Sequence, residues 1–215
     1  MLVKVILLFA ICIANKHAES VVLNRIQLQA WFPALLSQAT VQCQSRSIKT
    51  IDSDAFNNLR SYPDFVYLHN NQITHIRDNA FVNATSIDKL WLNNNLMTSI
   101  NESTFFGLTS LIELYLHSNL LTYIDSYSFT RLTRLQVIHL YNNKLSSIQP
   151  YTFSGLSALT DLDISSNLLT TIDRLIVIGL TNLVNFWVGS NPVTTLQPSF
   201  AQQLCANNPR CVVIF

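Results

Sequence analysis

Glu113, Asp163, His117 and His139 are the residues of this sequence whose types and separations could support chemistry. If the segments around residues 113 and 163 are strands two places apart in one sheet, their carboxyls stand roughly 10 Å from each other. That is near the separation at which an inverting glycosidase holds a water between its acid and its base. His117, His139 and Asp163 offer two imidazoles and a carboxylate, donors of the kind that hold a metal ion. Each reading needs more than residue types. Hydrolysis needs a pocket that desolvates one carboxyl and raises its pKa, and a metal needs three donors converging on one point. An open sheet face supplies neither, so the chain is read as having no catalytic residues, no metal and no cofactor. No Gly-rich phosphate loop, nucleophile elbow or Cys-x-x-Cys pair occurs, and 4 glycines in all leave little from which to build one.

What would position these residues is a repeat. Asn71, Asn95, Asn119, Asn143, Asn167 and Asn191 fall at one fixed interval of 24 residues, the mark of a repeat protein. The residues five and three before each Asn, from Val66/Leu68 to Phe186/Val188, are all apolar. So are those two after, from Ile73 to Val193, and five after, from Ile76 to Leu196. Phe81, Phe105, Phe129 and Phe153 recur ten after, and Leu108, Leu132, Leu156, Leu180 and Leu204 thirteen after, with Ala84 the one small residue in that place. Apolar residues two apart between polar ones have the period of a half-buried strand, so each coil should give one short strand and the stack one parallel sheet. The Asn stands where the chain leaves the strand, and its amide can donate to and accept from backbone groups otherwise buried unpaired. These six Asn are therefore read as a structural ladder.

This frame resembles the typical, 24-residue class of extracellular leucine-rich repeats, with the pattern L-x-x-L-x-L-x-x-N-x-L-x-x-I-x-x-x-x-F-x-x-L, and Ile87–Asp161 fits it almost letter for letter. An earlier, degenerate coil has Arg46 in the Asn place, preceded by Val41 and Cys43 and followed by Ile48, Ile51, Phe56 and Leu59. The resemblance covers about three quarters of the chain. It implies an α/β-type repeat solenoid, a right-handed horseshoe with a concave parallel sheet and a mostly irregular convex side. Seven repeats then run over 41–204. Both ends of such a stack expose apolar surface and need covers. Residues 21–40, with Trp31, Phe32, Leu35 and Leu36, are expected to cap the first coil, and 205–215 to be a short remnant of the family's C-terminal cap. Related secreted proteins carry a four-cysteine N-terminal cap, of which only Cys43 has a counterpart here.

Met1–Ala14 has one early Lys followed by about ten apolar residues, the pattern of a secretory signal. Cleavage is expected after Ala14, with Ser20 the alternative, and the run is too short to span a membrane. No second long apolar run follows, so the mature protein is read as secreted and extracellular. Removing Cys12 with the leader leaves Cys43, Cys205 and Cys211. Cys205 and Cys211 are expected to close a small disulfide loop, and Cys43 either fills a buried slot or pairs between molecules. The balance of 13 Lys+Arg against 12 Asp+Glu gives a formal +1, so no basic face suits a phosphate backbone and nucleic acid is excluded as partner. Charged residues are only 12% of the chain and apolar ones 49%, which rules out disorder.

In such a fold the residues that alternate with the buried ones line the concave face. Four before each Asn stand Tyr67, Trp91, Tyr115, His139, Asp163 and Trp187. Two before stand His69, Asn93, His117 and Tyr141. Exposed Trp and Tyr dominate binding energy at interfaces, so these ten residues are the candidate contacts, with aromatic cross-strand pairing that only stabilises the sheet as the lesser alternative. Seven strands give a face of roughly 29 by 13 Å, about half the area one partner contributes to a standard protein interface. The partner must wrap onto the rim, bind weakly or be small. An extracellular protein is expected, with a glycan or peptide as alternatives and a monomeric state favoured. A structural or self-associating matrix component using its ends, its convex face or Cys43 is the second reading. Sequons at Asn83 and Asn101 lie off the concave strands. Leu175-Ile176-Val177-Ile178 breaks the frame and predicts either a repacked turn or an outer apolar patch.

Overall fold

The computed structural model describes residues 21–24, 28, 40–57, 63–194, 205 and 210–215. The leader, the cap residues Trp31, Phe32, Leu35 and Leu36, and the frame positions Leu59, Leu196 and Leu204 lie outside them.

The chain is a parallel-strand solenoid of about seven coils. One concave sheet takes a three-residue strand from each coil: β1 (Thr40–Gln42), β2 (Phe65–Tyr67), β3 (Lys89–Trp91), β4 (Glu113–Tyr115), β5 (Val137–His139), β6 (Asp161–Asp163) and β7 (Asn185–Trp187). An eighth, β8 (Val212–Ile214), pairs parallel with β7. Register is uniform. Val66, Leu90, Leu114, Ile138, Leu162 and Phe186 face one another across successive strands and are fully buried.

The strands stop after three residues for a backbone reason. Immediately before each ladder position stands a residue in the left-handed region, Ser45, Asn70, Asn94, Ser118, Asn142, Ser166 or Ser190, with φ between 52° and 57°. Asn70, Asn94 and Asn142 enter that region at little cost, the four Ser adopt it at the same coil position, and the chain turns away from the sheet there. The ladder Asn then takes over the hydrogen bonding. Asn95 accepts the Ile73 N–H at 2.9 Å and donates to the Leu68 and Leu92 carbonyls, both at 3.0 Å. Asn119, Asn143 and Asn167 repeat this set on their own coils.

Behind the sheet the phenylalanines form a spine, with Phe129 stacked between Phe105 at 5.9 Å and Phe153 at 5.7 Å, and Phe56 on Phe81 at 5.1 Å. Short parallel pairings on the other side join Val21–Leu23, Ile48–Ile51 and His75–Ile76, and separately Ser99–Ile100 with Tyr123–Ile124. The broken frame at 175–178 both repacks and exposes apolar surface. A 3-10 turn, Arg174–Ile176, is capped by Asp173, whose Oδ1 accepts from the Leu175 N–H at 2.8 Å. Ile176 and Val177, the latter at the frame position of the Phe, are buried, and Ile178 turns outward. Cys43 is fully buried in its leucine slot, and Cys205 is joined to Cys211. At Gly189 a Cβ would stand 2.7 Å from the Phe215 carbonyl carbon, so the missing side chain lets the chain beyond β8 lie against β7. Among the described residues no helix is long and apolar enough to cross a membrane.

Candidate functional site

Parallel, in-register strands place the same coil position side by side every strand, so the residue four before each ladder Asn forms a column across the concave face. Tyr67 stacks on Trp91 with centroids 4.3 Å apart, and Trp91 on Tyr115 at 5.3 Å. His139 meets the Tyr115 ring edge-on at 5.2 Å. In the neighbouring column His117 lies flat on Tyr141, 4.4 Å and 5° apart, and approaches His139 at 6.5 Å. His69 sits edge-on to Tyr67 at 5.9 Å. The rings are half-buried, because each covers part of the next.

The structure does not join all ten candidates. Asp163 pairs in register with Trp187, so a carboxylate interrupts the column and Trp187 stands apart from the stacked run. Asn93 is buried, 8% exposed, and is enclosed in the face instead of being presented on it. Its Oδ1 and the His69 Nδ1 are buried without a hydrogen-bond partner. Phe65, six before its ladder Asn, was outside the candidate set. It contacts Trp91 edge-on at 6.4 Å and has the Lys89 ammonium 5.8 Å from its ring centroid. Its column is mixed in type, so only the neighbouring coil's Trp91 could have singled it out.

Electrostatics divide the face. Lys89 and Glu113 form an ion pair at 2.6 Å, and the Tyr115 hydroxyl donates to Glu113 at 2.6 Å. Burial alone would raise the Glu113 carboxyl, but the Lys89 and Tyr115 hydrogen bonds and the Lys89 charge hold it below its ordinary value. The same bond and burial push the Tyr115 phenol up. Asp163 accepts from the Ser165 N–H at 2.9 Å and hydroxyl at 2.6 Å, and Asp161 from Thr160 and Asn185. A general acid needs a raised pKa, and Glu113 is displaced the opposite way. Burial lowers His69, His117 and His139 from their ordinary value. His139 adds to the lowering at His117, while Asp163 opposes it at both His117 and His139. Burial thus favours the neutral form of these three imidazoles. Among the described residues no three His, Cys, Asp or Glu side chains converge on a point that could hold a metal ion.

Asn83 and Asn101 are both exposed and lie off the concave strands.

The family model described as "Leucine rich repeat" matches the chain in four overlapping stretches, residues 64–121, 85–145, 109–169 and 133–193. No curated protein matches it in sequence. Among solved structures, a chain of the TLR13–ssRNA13 complex superposes with a TM-score of 0.75 at 23% identity, over 91% of this chain and 30% of that one. A leucine-rich-repeat protein of Leptospira interrogans gives 0.63 at 22% identity, over 86% of this chain and 50% of its own. A chain of the Drosophila Toll–Spatzle complex gives 0.63 at 19%, over 86% and 32%. This chain thus spans half or less of each of these proteins, and the likeness is one of fold.

Proposed function

The chain belongs to the leucine-rich-repeat family, and from that premise we propose that it is a secreted, non-catalytic recognition module that binds an extracellular protein on its concave face. One observation carries the reading: the stacked run Tyr67, Trp91, Tyr115 and His139, half-exposed on a rigid sheet. Rings that hold one another in place lose little freedom when a partner arrives, which is the cost that most weakens flexible interfaces. The Toll and TLR13 complexes show that solenoids of this shape are found with a protein in one case and an RNA in the other. Here the charge favours protein. The concave columns carry Lys89, already paired with Glu113, beside Asp161 and Asp163, and a phosphate backbone would meet carboxylates there.

On the same reading residues 1–14, or 1–20, are a leader, 21–40 the N-terminal cap, 41–204 seven repeats, and 205–215 a short C-terminal cap stiffened by the Cys205–Cys211 link. The pairing of β8 with β7 supports the last assignment. Partner capture from extracellular fluid tests the function. The full chain is compared with a Trp91→Ala/Tyr115→Ala/Trp187→Ala variant and a convex control, Tyr151→Ala, all checked for folding by circular dichroism. Loss of a specific partner in the concave variant alone supports the proposal, and equal capture by all three overturns it.

A self-associating component is the second reading. It is favoured by outward apolar groups at Ile178, at Val212 and Ile214 of β8, the end strand of the described sheet, and at Phe215 after it. Sedimentation equilibrium decides: a monomer at micromolar concentration removes it.

A further inference from the structure

A pocket of about 440 Å³ opens in the groove between two successive coils, off the concave strands. One wall is Glu102, Ser103 and Phe106, and the other is Tyr127, Thr130 and Arg131. The repeat frame makes Tyr127 the successor of Ser103 and Thr130 that of Phe106, each 24 residues on. The pocket's chemistry is mixed. The Arg131 guanidinium lies over the Phe106 ring at 5.0 Å. Tyr127 is stacked on Tyr151, 6.0 Å between centroids and 1° between planes. On Tyr127's other side the frame puts Ser103, too small to cover a ring, so that face of the phenol looks into the pocket and Tyr127 is 48% exposed.

Glu102 and Ser103 are also the second and third residues of the sequon Asn101-Glu102-Ser103. The exposed Asn101 side chain is set in a tight turn. Its Oδ1 accepts from the Ser103 N–H at 3.0 Å and from the Thr104 hydroxyl at 2.9 Å. The Ser103 hydroxyl also reaches that oxygen and Asp78. With the oxygen held inside the turn, Nδ2 is the end of the carboxamide left to react. Two residues of one pocket wall, Glu102 and Ser103, thus directly follow a modifiable amide, and the Tyr127 ring and the Arg131 guanidinium line the wall opposite them.

We propose that Asn101 carries an N-linked glycan whose first sugars lie in this pocket. The apolar C–H face of a sugar ring rests on Tyr127, and Arg131 and Glu102 hydrogen-bond its hydroxyls. In the modification Nδ2 forms a bond to the anomeric carbon of a lipid-diphosphate-linked oligosaccharide. The bond from that carbon to the diphosphate oxygen breaks, the lipid diphosphate leaves, and the amide loses one proton to solvent. The cavity falls within the size range of small-ligand sites. This rests on the secretion in the proposed function, since the donor is met in the secretory lumen.

The full chain with its own leader is expressed in cultured animal cells, and occupancy of Asn83 and Asn101 is read by glycopeptide mass spectrometry. Release by peptide N-glycanase is then timed on native and denatured protein. Asn101 is expected to be occupied, and its glycan to be released from the native protein roughly tenfold more slowly than from the Tyr127→Asn or Arg131→Gln variants, the change that about 1.4 kcal/mol of docking gives. Tyr127→Asn should fold, because Asn79 holds the same place in an earlier coil at φ 64°. A secreted protein with Asn101 unmodified, or with equal native release in wild type and both variants, overturns the pocket proposal and leaves concave recognition standing. A chain retained inside the cell overturns both.

Discussion

The indole of Trp91 lies parallel to the phenol of Tyr115, 5.3 Å between centroids and 10° between planes. Tyr67 covers the other indole face at 4.3 Å, so the ring is held from both sides. Trp91→Ala removes these two stacked pairs and the edge contact with Phe65, together about 1.5–4.5 kcal/mol beyond the area they bury. Trp187→Ala, outside the stacked run, should cost less. Urea unfolding of both variants checks this, and equal losses would show that stacking contributes nothing measurable.

Ladder substitutions should be graded by burial. Asn119→Ala leaves the buried Met97 N–H without its acceptor at 3.1 Å, a loss of about 1–3 kcal/mol. The Leu92 carbonyl keeps Asn95 as a second donor, so the stranded N–H dominates. Asn191, only part-buried, can be replaced by water, and Asn191→Ala is expected to cost less than Asn119→Ala in the same denaturant titration.

Acidification should weaken the fold through the half-buried imidazoles. Unfolded histidines take up protons near pH 6.5, whereas burial holds His69, His117 and His139 below that value. The unfolded chain therefore binds more protons as pH falls through that range, and stability present above about pH 6.5 is lost progressively below it. The urea midpoint should be flat from pH 8 to 7 and fall between 6.5 and 5. His117→Gln/His139→Gln should flatten that slope, and an unchanged slope would count against the histidines. A partner that buries the same rings should be released over the same range.

Cys43, fully buried, should be inert to a thiol reagent in the folded protein and react only on unfolding. A disulfide-linked dimer on a non-reducing gel that Cys43→Ala abolishes would contradict this and favour assembly.

The repeating frame made the strands, the ladder and the Phe spine legible, because one interval fixes the same environment seven times over. What it left open is how neighbours meet. The column of types sets Trp91 between Tyr67 and Tyr115 and Trp187 beside Asp163, but it does not say that Trp91 lies flat on Tyr115 while His139 meets the same ring edge-on. The difference lies between coils, not within one. Asn93 illustrates a second limit: an outward position in the alternation is still buried when the side chains beside it are large. β8 was hidden for a third reason, since four apolar residues at the end of a chain carry no repeat of their own. The pocket at Tyr127 lies where the frame leaves its residues unspecified.

Every ladder side chain points back along the chain. Asn95 completes the backbone of the coil at Ile73 and Leu68, Asn119 that at Met97 and Leu92, and Asn143 that at Leu121 and Leu116. Taking away a coil on the C-terminal side strands amide protons in the coil that remains. Taking one away on the N-terminal side frees a carboxamide and also strands backbone N–H groups, such as those of Leu96 and Ile112, which donate to the Ile73 and Asp88 carbonyls. Each interior coil is accordingly completed from both of its neighbours, and amide exchange should be fastest in the coils at the ends of the described stack and slowest at its centre.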